Sequence, residues 1–275
     1  MATNNFQLVI FTDLDGTLLD QESYSWDMAK PALHRLEERD IPWILCTSKT
    51  RIELEPLRRA LGHRHPFIVE NGGAILIPQG YFAFAFASGN LSDGHQTIEI
   101  GIPYSLLRTA LKEIGRETGS VLKGFGDMDP KEIADRTGLS VAEAERAKTR
   151  EYDEPFLILG DPPQQQSVLN QIEAKGFRWT KGGRFYHLTG ENDKGRAVRT
   201  LSEIFRKKLG AILTVGLGDS LNDLPMLAAV DRAILVQKPD GSYEDAVSLP
   251  GLEQAEGIGP IGWNQSVLSL VQDYR

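Results

Sequence analysis

The feature that most constrains this chain is the stretch Leu8-Val9-Ile10-Phe11-Thr12-Asp13-Leu14-Asp15-Gly16-Thr17. A β-branched and aromatic run that breaks into Asp-Gly-Thr predicts a buried strand delivering two carboxylates into a loop at the sheet edge. Side chains alternate along a strand, so Asp13 and Asp15 point the same way wherever the extended geometry persists, and Gly16 permits a sharp turn behind them. In open α/β sheets, ligands bind at that carboxyl edge. A strand ending in a solvated Asx turn fits the same residues. Three later stretches favour a built site: a hydroxyl after a strand, a lysine opening a helix, and a second acidic group after a strand.

Ala32, Leu33 and Leu36, at helical spacing, lead to a second apolar strand, Trp43-Ile44-Leu45-Cys46, which completes a βαβ opening. Thr47-Ser48-Lys49-Thr50 follows, and then Leu54, Leu57 and Leu61 mark one helix face that stops at Gly62. Thr47 thus falls between a strand end and a helix start, where unpaired N–H groups favour an anion. Ser48 and Thr50 equally suit helix caps. A cysteine-phosphatase loop on Cys46 and Arg51 is the rival for this stretch, but the Cys-to-Arg spacing is too short, and Cys46 reads as a core residue. Phe67-Ile68-Val69 is a third strand, followed by Glu70-Asn71-Gly72-Gly73 and the apolar Ala74-Ile75-Leu76-Ile77. The glycines suit a hairpin turn or a close backbone approach to a ligand, which makes Glu70, Asn71 and Gly72 candidate substrate contacts.

The texture changes over residues 89–187. Residues 97–100 alternate like a strand, Leu107, Leu111 and Ile114 mark a helix face, and Ser140 with Glu143 makes a capping box. A strand at 154–159, a helix around Val168 and Ile172, and a hairpin through Lys181-Gly182-Gly183 follow. This predicts an inserted α+β domain over 89–187 between core segments 1–88 and 188–275. Beyond it, Asp193 is a candidate N-cap and Lys194 lies in the first turn of a helix whose buried stripe is Val198, Leu201, Ile204, Phe205 and Leu209. A cation at that end opposes the helix dipole, which points to a use for it. The strand Ile212-Leu213-Thr214-Val215-Gly216 then runs into Leu217-Gly218-Asp219-Ser220-Leu221-Asn222-Asp223, residues 233–236 give a last core strand, and residues 263–271 a terminal helix.

If these strands are parallel, Asp13, Asp15, Thr47, Lys194, Asp219 and Asp223 converge on one sheet edge. Two like charges 4 Å apart repel by about 1 kcal/mol in water and about 4 at an effective dielectric of 20, so such a cluster predicts a cation. Its candidate ligands are hard oxygens without His or Cys, which points to Mg²⁺. The inventory suits phosphomonoester hydrolysis. Asp13 can attack phosphorus, Asp15 can protonate the departing oxygen and then activate water, and Lys194, Thr47 and the metal offset the charge of the transferring group.

Composition narrows the partners. A net charge of −8 argues against a nucleic-acid surface, since phosphate-backbone binding draws on Lys and Arg. No apolar run approaches a membrane span, and the first residues have neither a basic flank nor a hydrophobic signal region, so the expectation is a cytoplasmic protein without membrane partners. Cys46 is the single cysteine, which excludes an internal disulfide and a thiolate metal cluster.

Asp13-Leu14-Asp15-Gly16-Thr17, Thr47, Lys194 and Gly218-Asp219-Ser220-Leu221-Asn222-Asp223 resemble, in order, the four motifs of the haloacid dehalogenase (HAD) superfamily of phosphatases. More narrowly, the chain resembles the mannosyl-3-phosphoglycerate phosphatase family. That resemblance rests on Cys46-Thr47-Ser48-Lys49-Thr50, Pro66-Phe67-Ile68-Val69-Glu70-Asn71-Gly72-Gly73, Gly124-Phe125-Gly126-Asp127-Met128, Glu132-Ile133-Ala134, Thr137-Gly138-Leu139, Arg150-Glu151 and Gly183-Arg184-Phe185-Tyr186-His187. It implies a HAD-like doubly wound (Rossmann-like) parallel-sheet core with an inserted C2-type cap. It also implies Mg²⁺-dependent hydrolysis of a small phosphorylated glycoside, a glycosyl-3-phosphoglycerate, to the glycosylglycerate, a compatible solute. Asp13 would be the nucleophile, Asp15 the general acid/base, and Asp13, Asp15 and Asp219 metal ligands, with the backbone carbonyl of Asp15 contributing and Asp223 a direct or outer partner. Thr47, rather than Ser48, would supply the phosphate hydroxyl. In the cap, Arg150 and Arg184 would clamp the glycerate carboxylate bidentately, and His187 would bond a sugar hydroxyl or serve structurally. Competing expectations are another sugar-phosphate phosphatase or phosphomutase of the superfamily, such as one acting on sucrose phosphate, and a non-enzymatic phosphoacceptor module.

Overall fold

The computed structural model describes residues 6–84, 90–92, 94–182 and 184–273. The expected boundary at Gly89, Gly183 of the expected hairpin and the N-terminal residues 1–5 lie outside them. The chain opens with β1 (Gln7–Thr12), α1 (Lys30–Glu38), β2 (Trp43–Cys46), α2 (Arg51–Leu61), β3 (Phe67–Val69), β4 (Ala74–Pro78), β5 (Asn90–Ser92) and β6 (His95–Glu99). Next come α3 (Tyr104–Thr118), β7 (Val121–Gly124), α4 (Pro130–Thr137), α5 (Val141–Lys148), β8 (Glu154–Leu159), α6 (Pro162–Ala174), β9 (Arg178–Gly182) and β10 (Phe185–Thr189). It closes with α7 (Lys194–Leu209), β11 (Ile212–Gly218), the short α8 (Leu224–Leu227), β12 (Arg232–Gln237), β13 (Glu253–Ile258) and α9 (Pro260–Asp273).

The large sheet has the order β13-β12-β11-β1-β2-β3-β4-β6-β5. Its strands from β13 to β3 are mutually parallel, and β4, β6 and β5 add an antiparallel meander. β1 shows why the sheet is covered on both faces. Leu8 and Ile10 join one apolar cluster with Leu33, Leu36, Trp263 and Val267, whereas Val9 and Phe11 join the other with Val198, Leu201 and Phe205. An apolar run with no polar alternation is what a parallel strand between two helix layers requires. Each such side chain contributes about 1.5–3 kcal/mol by leaving water. Parallel pairing also puts the carboxyl ends of β1, β2 and β11 along one edge.

A second, four-stranded antiparallel sheet has the order β7-β8-β10-β9. Phe156, Ile158 and Leu188 face Leu107, Leu111, Ile114, Val168 and Ile172 of α3 and α6. Alternation along β10 sends Phe185 and His187 the other way, toward the carboxyl edge of the large sheet, where both line a cavity. β5 and β6 carry the large sheet to Glu99, and β10 carries the small one to Thr189. Two connections, residues 100–103 and 190–193, join them. Among the described residues, no helix is long and apolar enough to cross a membrane.

Candidate active site

Asp13 is the first residue past β1, still tied to the sheet by its N–H, which donates to Leu217 O at 2.9 Å. β11 ends at Gly218 and hands over Asp219 beside it. A short turn over Leu221–Asp223 brings Asp223 back, and its Oδ2 accepts from the N–H groups of Asp219 and Ser220 at 3.0 and 3.1 Å. Opposite them stands the start of α7. Asp193 caps it by accepting from Arg196 N–H, as the sequence predicts, and Lys194 donates from Nζ to Asp13 Oδ1 and Asp223 Oδ1, both at 2.6 Å. The Lys194 side chain is fully buried.

Asp13, Asp219 and Asp223 each offer a carboxylate oxygen, all within 4.8 Å of one another. Burial first, and then the charge of Asp223, push Asp13 up to about 7. Burial together with Asp223 and Asp13 holds Asp219 well above the usual carboxylate range. Burial pulls the Lys194 ammonium down, but Asp13 and Asp223 outweigh it and the net shift is upward. Three buried carboxylates against one ammonium leave room for more positive charge. A donor set of hard oxygens without nitrogen or sulfur fits Mg²⁺.

The Asp15 carboxylate is not part of that group of three. Extended geometry ends at Thr12, and Asp15 forms an isolated bridge to Leu19 instead. Gly16 then turns with φ +80°, and a Cβ there would lie 2.6 Å from Gln21 Oε1 and 2.9 Å from Asp219 Oδ2. Asp15 Oδ2 sits 2.8 Å from Lys49 Nζ, while Oδ1 is buried without a hydrogen-bond partner among the described residues. Asp13, Asp15 and Asp219 all line one cavity of about 920 Å³ between the two sheets.

Thr47 is buried at the end of β2, and its hydroxyl accepts from Lys49 N–H at 3.2 Å. Ser48 lines the cavity and Thr47 does not. Thr50 caps α2 in a capping box with Glu53. Cys46 is fully buried and its thiol is pushed up by that burial, so it offers no thiolate.

The expected substrate contacts divide. Glu70 and Gly72 line neither this cavity nor a neighbouring one of about 540 Å³. Glu70 is fully buried and accepts from the N–H groups of Glu151 at 3.0 Å and Tyr152 at 2.8 Å, fastening the large sheet to residues 151–152. Gly72, at φ +84°, lies so close to Asp193 that a Cβ would fall 2.1 Å from its carbonyl oxygen. Asn71 borders the smaller cavity, and its Nδ2 donates to Asp153 Oδ2 at 2.7 Å. Arg150 borders the large cavity but turns its donors inward: Nε to Asp153 O at 3.1 Å, and Nη2 to Ser48 O at 3.0 Å and Asp153 Oδ2 at 3.1 Å. Those donors are engaged within the protein rather than turned to the cavity. Arg184 is exposed on the cavity rim and donates to Arg136 O at 2.7 Å. His187 lines the cavity with Nδ1 2.9 Å from Asp153 Oδ2.

Sequence reasoning passed over two residues. Asp153 is buried where Arg150, Asn71 and His187 meet, and although burial opposes it, His187 and Arg150 hold its carboxyl below the ordinary value. Lys49 was read only as part of a motif, yet it is the residue that meets Asp15. A lysine following a strand-end hydroxyl was the available signal.

Residues 10–88 match a family model described as haloacid dehalogenase-like hydrolase. The chain is 49% identical over 263 residues to the glucosyl-3-phosphoglycerate/mannosyl-3-phosphoglycerate phosphatase of Methanococcoides burtonii, covering 96% of this chain and 97% of that protein. It is 43% identical over 268 residues to the protein of the same name from Persephonella marina, covering 97% and 98%. Among solved structures, a phosphatase of the HAD superfamily from Bacteroides thetaiotaomicron superposes with a TM-score of 0.69 at 16% identity, over 99% of this chain and 97% of that one.

Proposed function

As a member of the mannosyl-3-phosphoglycerate phosphatase family of haloacid dehalogenase-like hydrolases, the chain is a phosphoric monoester hydrolase, and we propose that it hydrolyses glucosyl- or mannosyl-3-phosphoglycerate to the glycosylglycerate and phosphate. The observation that carries this reading is the Lys194 ammonium held between Asp13 and Asp223, with Asp13 lining a cavity roofed by the second sheet. We read that second sheet and its helices, residues 104–189, as the cap.

In the first step a carboxylate oxygen of Asp13 attacks phosphorus, and the bond to the glycerate oxygen breaks as Asp15 gives that oxygen a proton. In the second, Asp15 takes a proton from a water that attacks the aspartyl-phosphate, returning Asp13 and releasing phosphate. Lys194 faces the charge that builds on the phosphoryl oxygens, and its two carboxylate partners keep it charged and aimed. Thr47, just past the end of β2, is the proposed hydroxyl donor to those oxygens. Asp13, Asp219 and Asp223 would hold Mg²⁺, which supplies charge neutralisation when bound. Arg184 and His187 on the roof are the proposed contacts to the glycoside.

The test is phosphate release from mannosyl-3-phosphoglycerate, glucosyl-3-phosphoglycerate and sucrose 6-phosphate, each with Mg²⁺ and with chelator. Metal-dependent turnover confined to the two phosphoglycerates is expected. Turnover of sucrose 6-phosphate alone would overturn the substrate assignment and leave the phosphatase chemistry.

A further inference from the structure

We propose that Lys49 reads the substrate's carboxylate and gives up its contact with Asp15 to do so; this rests on the reading of the substrate as a glycosylated 3-phosphoglycerate. Lys49 Nζ lies 2.8 Å from Asp15 Oδ2, and both residues line the large cavity. Its backbone is fixed at both ends of the residue: N–H donates to Thr47 Oγ1 at 3.2 Å, and the carbonyl accepts from Glu70 N–H at 3.0 Å. The ammonium also lies 5.1 Å from the centroid of the Tyr24 ring. Tyr24 holds φ at +55°, a left-handed conformation that a bulky residue keeps only where its surroundings impose it. Lys49 is therefore an ammonium on a rigid loop, between an aromatic face and one oxygen of Asp15, whose other oxygen is buried without a partner among the described residues.

Substrate geometry decides which anion reaches this ammonium. In a 3-phosphoglycerate, two carbons separate the ester oxygen from the carboxylate. The acid that protonates the ester oxygen must lie against it, and that acid, Asp15, touches Lys49. A carboxylate two carbons away falls within reach of the same Nζ. The other cations of the site have partners of their own: Lys194 holds Asp13 and Asp223, Arg150 holds Asp153 and Ser48 O, Arg184 donates to Arg136 O, Arg136 pairs with Glu132, Lys238 lies 3.7 Å from Glu244, and Lys181 lies over the Tyr186 ring. Exchange of one carboxylate for another leaves Lys49 paired and frees Asp15 to turn toward the ester oxygen. Released from the ammonium, Asp15 takes up a proton from water and passes it to the ester oxygen as that oxygen leaves phosphorus for Asp13's attack, so the proton and the bonds formed and broken balance. An ester carrying a hydroxymethyl group in place of the carboxylate brings no anion to exchange, and Asp15 stays tied.

The experiment compares kcat/KM for glucosyl-3-phosphoglycerate and for its analogue with the carboxylate reduced to hydroxymethyl, in the wild type, Lys49→Met and Lys49→Arg, all with Mg²⁺. The wild type should prefer the acid by roughly 100-fold, the size of a charge-assisted contact. Lys49→Met should bring that ratio near unity, and Lys49→Arg should keep most of it. A wild type that discriminates little, or a Lys49→Met protein that still prefers the acid, overturns the assignment of Lys49 alone. Absence of wild-type turnover on both glycosides overturns the functional reading beneath it. Should Lys49→Met fail to fold, Lys49→Gln yields the same ratio.

Discussion

Lys194 and Asp13, 181 residues apart in the chain, meet with Nζ 2.6 Å from Oδ1 in a fully buried contact. Taking the lysine away leaves Asp13 and Asp223 facing one another without their shared cation. Lys194→Met should lower phosphate release by roughly 100- to 1000-fold, the loss seen when one charge-stabilising donor is removed. Asp13→Asn should abolish turnover while its circular dichroism spectrum stays native, because the amide fills the same space and Lys194 keeps Asp223. An active Asp13→Asn protein would remove Asp13 as nucleophile.

Divalent metal should stabilise the fold measurably, because Asp13, Asp219 and Asp223 repel one another in its absence. A ligand at 100 times its dissociation constant adds about 2.7 kcal/mol. Differential scanning calorimetry should show an unfolding temperature several degrees higher with Mg²⁺ than with chelator, and Asp219→Asn should erase most of that difference.

Acid should destabilise the protein through two histidines at the opposite end of the strands. His63 Nδ1 accepts from Arg58 Nε at 3.1 Å, and His65 Nδ1 lies 2.8 Å from the Tyr81 hydroxyl. Burial, and then the charge of Arg58, hold His63 well below the usual imidazole range, and burial with Arg64 pulls His65 down to about 4. Below pH of about 6.5 the unfolded chain binds protons that the folded chain refuses. Stability from these histidines is therefore complete above that pH and is lost as pH falls toward about 4, by up to about 1.4 kcal/mol per pH unit for each. Urea unfolding at pH 7, 6 and 5 checks this, and His65→Gln should flatten the slope.

Gly72→Ala should damage catalysis without touching a reacting group. A Cβ at Gly72 collides with the Asp193 carbonyl, one residue before Lys194, and φ +84° disfavours any side chain. The expected result is a stability loss above about 1 kcal/mol together with a fall in kcat larger than any change in KM. An unchanged kcat would show that the start of α7 tolerates displacement.

The residues legible in the sequence are those that local pattern alone positions. Asp13, Asp219 and Lys194 each follow a strand or open a helix, and parallel pairing then brings them together whatever the loops do. The direction of Asp15 is not set by local pattern, because it depends on the turn at Gly16, packed against Asp219 and Gln21. Arg150 and Glu70 looked like ligand-binding groups, yet their partners are Ser48, Asp153 and the N–H groups of residues 151–152, contacts that no spacing rule anticipates. β13 escaped notice since Ala255 is its single buried residue, and β7 because Val121-Leu122-Lys123-Gly124 is too short to show a period.

The pairing of β1 with β11 has a consequence for how the protein is made. During synthesis, β1 emerges with β2 as a neighbour on one side and an open edge on the other, which is filled when residues 212–217 leave the ribosome. Meanwhile residues 104–189, with apolar clusters of their own, are available to fold as a unit. A nascent chain stopped before Ile212 would carry a finished roof over an unfinished floor, with an exposed strand edge open to association and without Asp219 or Asp223. A chain without β11 thus lacks two of the three clustered carboxylates, and the flank of β1 stays unpaired until β11 is made.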